Sequence, residues 1–201
     1  PIKDYPTLLL ETLLHAAPRF SEKPVVVILT PGMANSAYFE HSFLAREMGV
    51  VLVEGRDLIV EDNYVFMRTT QGKQKVDVIY RRIDDDFIDP LVFRRDSLLG
   101  VPGLMNVYRE GNVALANAPG AGVADDKSVY AFMPELIKYY LGQDALLPQV
   151  QTYLGARSRD FTYIQERARE LVIKTTGDSG GYGMLMGPFA AKKEIEAYVA
   201  Q

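Results

Sequence analysis

Two rhythms of apolar residues alternate along the first 120 residues: short unbroken β-branched runs, and longer stretches with leucines at helical spacing. Residues 6–16, "PTLLLETLLHA", place leucines on one face behind a proline, which predicts an amphipathic helix stopped by Pro18. "KPVVVILTPG" at 23–32 is a fully apolar run closed by Pro-Gly, the pattern of a strand buried on both faces. "NSAYFEHSFLAREMG" at 35–49 follows as a helix, with Asn35 or Ser36 as its cap and Gly49 as its stop. "VVLVEG" at 50–55 is a second buried strand, so residues 24–55 read as a β-α-β unit opening a doubly wound sheet.

The pattern then changes period. "DLIVEDNYVFMRTTQGKQK" alternates apolar and polar residues on both sides of Asp62-Asn63, predicting a β-hairpin attached to the sheet. "VDVIYRR" at 76–82 is another strand, "DPLVFRRDSLLGVPGLMNVYREG" at 89–111 a helical region broken by Pro102-Gly103, and "NVALANAPG" at 112–120 a strand running into a turn. "APGAGV" at 118–123 reads as a hinge. Beyond it, 123–142 predicts a long helix, "DFTYIQERAREL" a second, "LVIKTT" a strand, "YGMLMG" its antiparallel partner and "FAAKKEIEAYVA" a last helix. The division is thus an N-terminal helix and linker at 1–22, a Rossmann-like α/β domain at 23–120 and a further domain at 121–201.

Composition narrows the chemistry. With 48% hydrophobic and 24% charged residues the chain can bury a core, and its net charge of −4, without like-charge blocks, carries no nucleic-acid footprint. The chain has no cysteine, which excludes thiolate metal sites and cysteine nucleophiles; His15 and His41 are the only imidazoles. No signal-peptide layout opens the chain and no apolar stretch has the length to span a bilayer, which predicts a cytoplasmic protein. The chain begins without methionine and ends inside a helical pattern, which predicts a piece of a longer protein. Oligomeric state is left open, a homo-oligomer included.

The residues with chemistry to offer sit at strand ends. Lys174 closes an apolar strand, and the loop after it holds Gly177, Gly180, Gly181 and Gly183 with the hydroxyls of Thr175, Thr176 and Ser179. Glycines let successive backbone N–H groups turn toward a phosphate, and a lysine emerging from a packed layer adds charge; a flexible hairpin with an exposed lysine is the competing use. The order differs from a P-loop, whose lysine follows the glycines. Lys127 opens a helix after Asp125 and Asp126, where the helix dipole does not favour a cation, so a ligand or a pair with one of those acids accounts for it. Asn35, Tyr38 and His41 follow the first strand, after Gly32, where open α/β sheets collect ligands; a capped helix with Tyr38 and Phe39 in the core is the alternative. Arg81 and Arg82 leave a parallel strand in the same sense and form a fork suited to a substrate carboxylate, or to ion pairs with Asp84 or Asp86. Asp84, Asp85, Asp86 and Asp89 read as a solvated acidic turn rather than as a metal site.

Asp-Lys at a helix start, a strand ending Val-Ile-Lys and a glycine-rich β-hairpin together resemble the ATP-binding first lobe of the ATP-grasp ligases. The strings "LTPGMANSAYFEHSFLAREMGVVLVEGRDL", "VDVIYRRIDDDFIDPLVFRRDSLLGVPGL" and "ANAPGAGVADDKSVYAFMPELIKYYLG" resemble the circularly permuted ATP-grasp family, which includes proteins similar to glutathionylspermidine synthase. The resemblance implies a Rossmann-like pre-ATP-grasp domain followed by the first lobe. It implies that Lys127 and Lys174 contact the phosphates of ATP while the loop from Gly177 to Gly183 closes over them. It further implies ATP-dependent carboxylate–amine ligation, with carboxylate and amine or peptide substrates and Mg²⁺ held by acid and asparagine ligands of a second lobe, which no stretch of this chain matches. The family also contains inactive members, so a nucleotide-binding scaffold of a peptide-modification system is the alternative.

Overall fold

The computed structural model describes residues 2–19, 21–178 and 181–199. The chain divides into two units, Pro1–Ala121 and Gly122–Gln201. In the first, helix α1 (Tyr5–His15) precedes β1 (Val26–Leu29), α2 (Tyr38–Met48) and β2 (Val51–Val53). Strands β3 (Leu58–Glu61), β4 (Tyr64–Thr69) and β5 (Gly72–Val76) follow, then β6 (Val78–Arg81), the short α3 (Leu104–Arg109) and β7 (Ala114–Ala116).

Four of these strands form a parallel sheet in the order β2-β1-β6-β7. β1 is buried at all four positions because both faces of the sheet are covered. Val26 and Ile28 face one side with Leu13 of α1 and Leu44, Ala45 and Met48 of α2. Val27 and Leu29 face the other with α3, Ile83, Ile88 and Val101. The chain leaves β1 toward β2, then returns through β6 on β1's opposite side, so the strand order reverses beside the carboxyl end of β1.

The alternating segment is a layer of its own. Strands β3, β4 and β5 make a three-stranded antiparallel sheet, a strand more than the expected hairpin and separate from the parallel sheet. Its inward residues Leu58, Val65, Met67 and Val76 join the second core cluster. The Asp62-Asn63 turn is as the pattern demands, with φ of 47° and 63°. Asp77, between β5 and β6, is buried and accepts hydrogen bonds from Ser21 Oγ at 2.5 Å, the Val25 backbone N–H at 2.9 Å and Lys75 Nζ at 3.0 Å. That contact fastens the linker before β1 to the sheet.

The region 89–111 is mostly turns, and only Leu104–Arg109 is helical. Asp89 is fully buried, and its carboxylate accepts the backbone N–H groups of Leu91 (2.9 Å), Gly103 (3.1 Å) and Met105 (2.9 Å). A side chain that captures these donors supplies an alternative to helical hydrogen bonding, and it satisfies the start of α3 from a distance. Asp89 therefore belongs to the loop's framework.

In the second unit, α4 (Lys127–Leu141) ends at left-handed Gly142, α5 (Ser158–Arg167) follows, β8 (Val172–Lys174) and β9 (Met184–Met186) pair antiparallel, and α6 (Lys192–Val199) comes last. Its apolar side chains are largely open: Tyr139 is 80% exposed, Leu147 82% and Phe189 86%, while Ala168 and Ile195 are its buried hydrophobics among the described residues.

Candidate functional site

The hairpin of the second unit is built from a register that ends on its lysine. Lys174 pairs with Met184 as the last ladder position, and the Thr175 N–H then donates to Gly183 O at 3.0 Å. Beyond that bond the chain opens into the loop. At Gly183 (φ +58°) a Cβ would lie 2.4 Å from Thr175 Oγ1 and 2.6 Å from Asp178 Oδ2, so a side chain there would be strained and would displace both groups. Those two groups are joined, Thr175 Oγ1 donating to Asp178 Oδ2 at 2.7 Å. Gly177 has open space around its Cα, and Gly181 takes φ +85°. Ser179 and Gly180 lie outside the described residues.

Lys127 is at this loop. Its backbone N–H donates to Thr176 O at 3.1 Å, and its ammonium donates to Thr176 O at 3.2 Å and to Asp178 O. Asp126 is occupied as the cap of α4, accepting from the Ser128 N–H (2.7 Å) and hydroxyl (2.5 Å), donors that hold its carboxyl below the usual carboxylate range. The Lys127 ammonium is thus placed by loop carbonyls rather than by a pair with Asp125 or Asp126. The Lys174 ammonium has no hydrogen-bond or ion-pair partner among the described residues, and Thr175 and Thr176 are exposed beside it. Asp178 and Tyr198, whose hydroxyl donates to Gly183 O, also shape the loop. Sequence reading passed over both, and a turn-forming Asp after Gly177 was the one available signal.

The residues at the carboxyl ends of β1 and β6 are spent differently. Arg81 donates from Nε to Asn117 O (2.7 Å), from one terminal nitrogen to Ile83 O (2.7 Å) and from the other to Ala118 O (3.1 Å), and it pairs with Asp85 at 2.5 Å. Arg82 pairs with Glu40 at 2.6 Å and donates to the Tyr80 hydroxyl. The arginine fork is therefore committed to protein acceptors, with Asp85 and Glu40 as the carboxylates in place of the expected Asp84 or Asp86. Asn35 Oδ1 accepts the Ala37 N–H at 2.9 Å, a local turn one step before the helix, and Tyr38 is half-buried at its first residue. Phe39, placed in the core by the alternative reading, is 80% exposed and stacks on Phe43. Glu54 is the acid nearest to Gly32, where an added Cβ would sit 3.3 Å from its Oε1. Among the described residues no three His, Asp or Glu side chains gather as metal ligands.

His41 is buried, its Nδ1 2.9 Å from Thr30 Oγ1, which also accepts the Gly32 N–H. Burial first, and the Arg82 charge second, push its pKa below the ordinary imidazole value. A depressed histidine binds its proton more readily in the unfolded chain, so stability is complete above the unfolded pKa of about 6.5 and falls as pH drops toward the folded value. Urea titrations at several pH values, for the parent and for His41→Gln, are expected to show a steeper loss of stability between about pH 7 and pH 5 in the parent. Parallel curves would overturn this role.

Among the described residues no helix is long and apolar enough to cross a membrane. An uncharacterized protein of Synechocystis sp. is 64% identical over 194 residues, covering 96% of this chain and 40% of that protein. An uncharacterized protein of Mycobacterium tuberculosis (strain H37Rv) is 54% identical over 196 residues, covering 98% of this chain and 36% of that protein. A Frankia alni protein named "Putative glutamate--cysteine ligase 2-3" is 40% identical over 193 residues, covering 96% of this chain and 22% of that protein. The chain thus spans 40% or less of the length of these relatives. Residues 1–201 match the family described as "A circularly permuted ATPgrasp", so the chain belongs to the circularly permuted ATP-grasp family.

Proposed function

We propose that the chain carries the phosphate-gripping part of an ATP-dependent carboxylate–amine ligase. Residues 23–120 would be the Rossmann-like pre-ATP-grasp domain and residues 121–201 the first lobe. The observation that carries the reading is the convergence of Lys127 on the glycine loop that begins one residue after Lys174. Three features support an anion at the loop: Lys174 has no ion-pair partner among the described residues, Thr176 is exposed beside it, and Gly177 leaves room for close approach. Lys127 now donates to neutral carbonyls, and a phosphate oxygen is a stronger acceptor for the same ammonium.

In the proposed reaction a substrate carboxylate oxygen attacks the γ-phosphorus of ATP, the bond to the β–γ bridging oxygen breaks, and ADP leaves an acyl phosphate behind. An amine nitrogen then attacks the acyl carbon, loses a proton and expels phosphate, which forms the amide. The lysines and loop N–H groups would hold the phosphate oxygens and offset their charge. The name of the Frankia relative pairs two amino acids, which supports an amino-acid or peptide carboxylate and an amino-acid amine as the substrate classes. Mg²⁺ would be bound by ligands other than the described residues.

Titration of the full-length protein carrying this sequence with ATP in the presence of Mg²⁺ tests the reading. Lys174→Ala is expected to weaken ATP at least about tenfold, the value of a lost charge-assisted hydrogen bond. Lys138→Ala, which removes an exposed lysine paired with Asp144, is the control and should leave it unchanged. Unchanged affinity in Lys174→Ala would overturn the phosphate assignment.

A further inference from the structure

In the first unit a groove of about 460 Å³ runs along strand β3, between residues Gly55–Val60 on one side and Ser97–Pro102 on the other. One end is closed where Gly55 meets the Leu99 and Gly100 backbone, and Val60 abuts Gly103 toward the other. β3 is the outer strand of its sheet. Its two-residue turn makes Glu61–Tyr64, and then Ile59–Phe66, the hydrogen-bonded pairs of the β3–β4 ladder, which turns the N–H and C=O groups of Leu58 and Val60 to the open side. The Leu58 N–H is taken by Gly55 O, whereas the outward N–H and C=O of Val60 have no backbone partner among the described residues. Natural proteins usually blunt such an edge with charge, proline or a cover. Here the flank is apolar instead, with half-buried Ile59 below it and Leu98, 90% exposed, on the facing wall.

The rim is basic. Arg56 and Arg68 both line the groove; Arg56 pairs with Glu54 at 2.9 Å, and Arg68 has no ion-pair partner among the described residues, touching only Arg56 O at 3.4 Å. An open strand edge, an apolar trench and an uncompensated guanidinium complement one kind of ligand. We propose that this groove binds an extended peptide segment that adds a strand to β3, places an apolar side chain against Leu98 and Ile59, and sets a carboxylate on Arg68. Main-chain bonds supply the affinity of such strand addition, and the pocket and charge supply its selectivity. The site lies wholly within the first unit and does not rest on the nucleotide reading.

Fluorescence polarisation of the 201-residue chain with a fluorescein-labelled Val-Ser-Val-Ser-Glu pentapeptide, whose valines and glutamate share one face of an extended strand as Ile59 and Arg68 share one face of the sheet, tests this. Saturable binding is expected, weakened about tenfold when lysine replaces glutamate in the peptide or in the Arg68→Glu variant. Peptides N-methylated at alternate amides in the two registers separate edge pairing from adhesion, and one register is expected to lose binding entirely. Leu98→Glu changes an exposed side chain and is expected to weaken binding without lowering the urea midpoint. Absence of saturable binding, or equal affinity for the glutamate, lysine and N-methylated peptides, would overturn the proposal. So would sedimentation showing that a second copy of the chain occupies the groove, with dimerisation abolished by Leu98→Glu.

Discussion

Asp89→Ala is expected to destabilise the first unit by about 3–5 kcal/mol, the range seen when a buried charged group that satisfies several partners is removed. Asp89 is fully buried, and its two oxygens accept three backbone N–H groups, from Leu91, Gly103 and Met105. Alanine removes the acceptors and leaves donors inside the protein, where an unmade hydrogen bond carries its full desolvation penalty. Because a domain's stability is only about 5–15 kcal/mol, the loss is a large fraction of it. Urea unfolding followed by tyrosine fluorescence would measure it. Asp89→Asn separates the components: its amide oxygen still accepts, but its NH₂ group meets a donor, so an intermediate loss is expected. A loss below about 1 kcal/mol in Asp89→Ala would show that water replaces the carboxylate.

The same residue marks the limit of what the chain's patterning discloses. Strand β1, helix α2 with its Gly49 stop, and the Asp62-Asn63 turn were legible because each depends on local chemistry: a β-branched apolar run, a left-handed cap, two residues that tolerate positive φ. Region 89–111 carries leucines and valines dense enough to suggest a helix, yet Leu91 is 74% and Leu98 90% exposed. What organises it is the reach of one carboxylate across 14 and 16 residues of chain, which no periodicity encodes. The third strand, β5, reads "GKQKV" with only Val76 buried, so its partner β4 rather than its own pattern defines it.

Site residues divide along the same line. Residue type and position at a strand or helix end marked Lys127, Lys174 and the glycines as candidates, because those features are local. The partners were not marked: Lys127 meets carbonyls 49 and 51 positions away, and Arg82 meets a carboxylate 42 positions away. Reading a parallel strand's terminal arginines as a carboxylate fork or as ion pairs with nearby acids omitted the demand of neighbouring backbone carbonyls, three of which, with the Asp85 carboxylate, occupy Arg81. Asp89 and the open edge of β3 were likewise invisible, since both are defined by what the fold brings near rather than by composition.

Gly100→Ala is the second substitution expected to have a large effect, and it arises from contact rather than conformation. Gly100 is not among the positive-φ glycines, yet a Cβ there would lie 1.9 Å from Phe87 O, 2.3 Å from Ile88 O and 2.5 Å from Ile88 C. These are backbone atoms and cannot rotate aside. They are also held in place, since Ser97 Oγ donates to Phe87 O and the Val101 N–H to Ile88 O, both at 2.9 Å. The methyl would force the two segments apart, break those bonds and shift Val101 and Leu104, both completely buried in the core beside the parallel sheet. The expected cost is at least the upper end of the ~1–3 kcal/mol typical of overpacking. Gly111→Ala is the informative comparison: φ is +72° but nothing lies within 4 Å, so only the left-handed backbone penalty of about 1 kcal/mol applies. Urea midpoints should therefore rank parent, Gly111→Ala and Gly100→Ala in falling order, with faster hydrogen exchange of the Val101 amide in Gly100→Ala alone. If the two variants unfold together, the close approach of the Gly100 and Phe87–Ile88 segments does not constrain the folded chain. Because Gly100 also lines the groove along β3, loosening this contact is expected to weaken the acidic pentapeptide as well, while leaving the ATP binding proposed for the hairpin of the second unit unchanged.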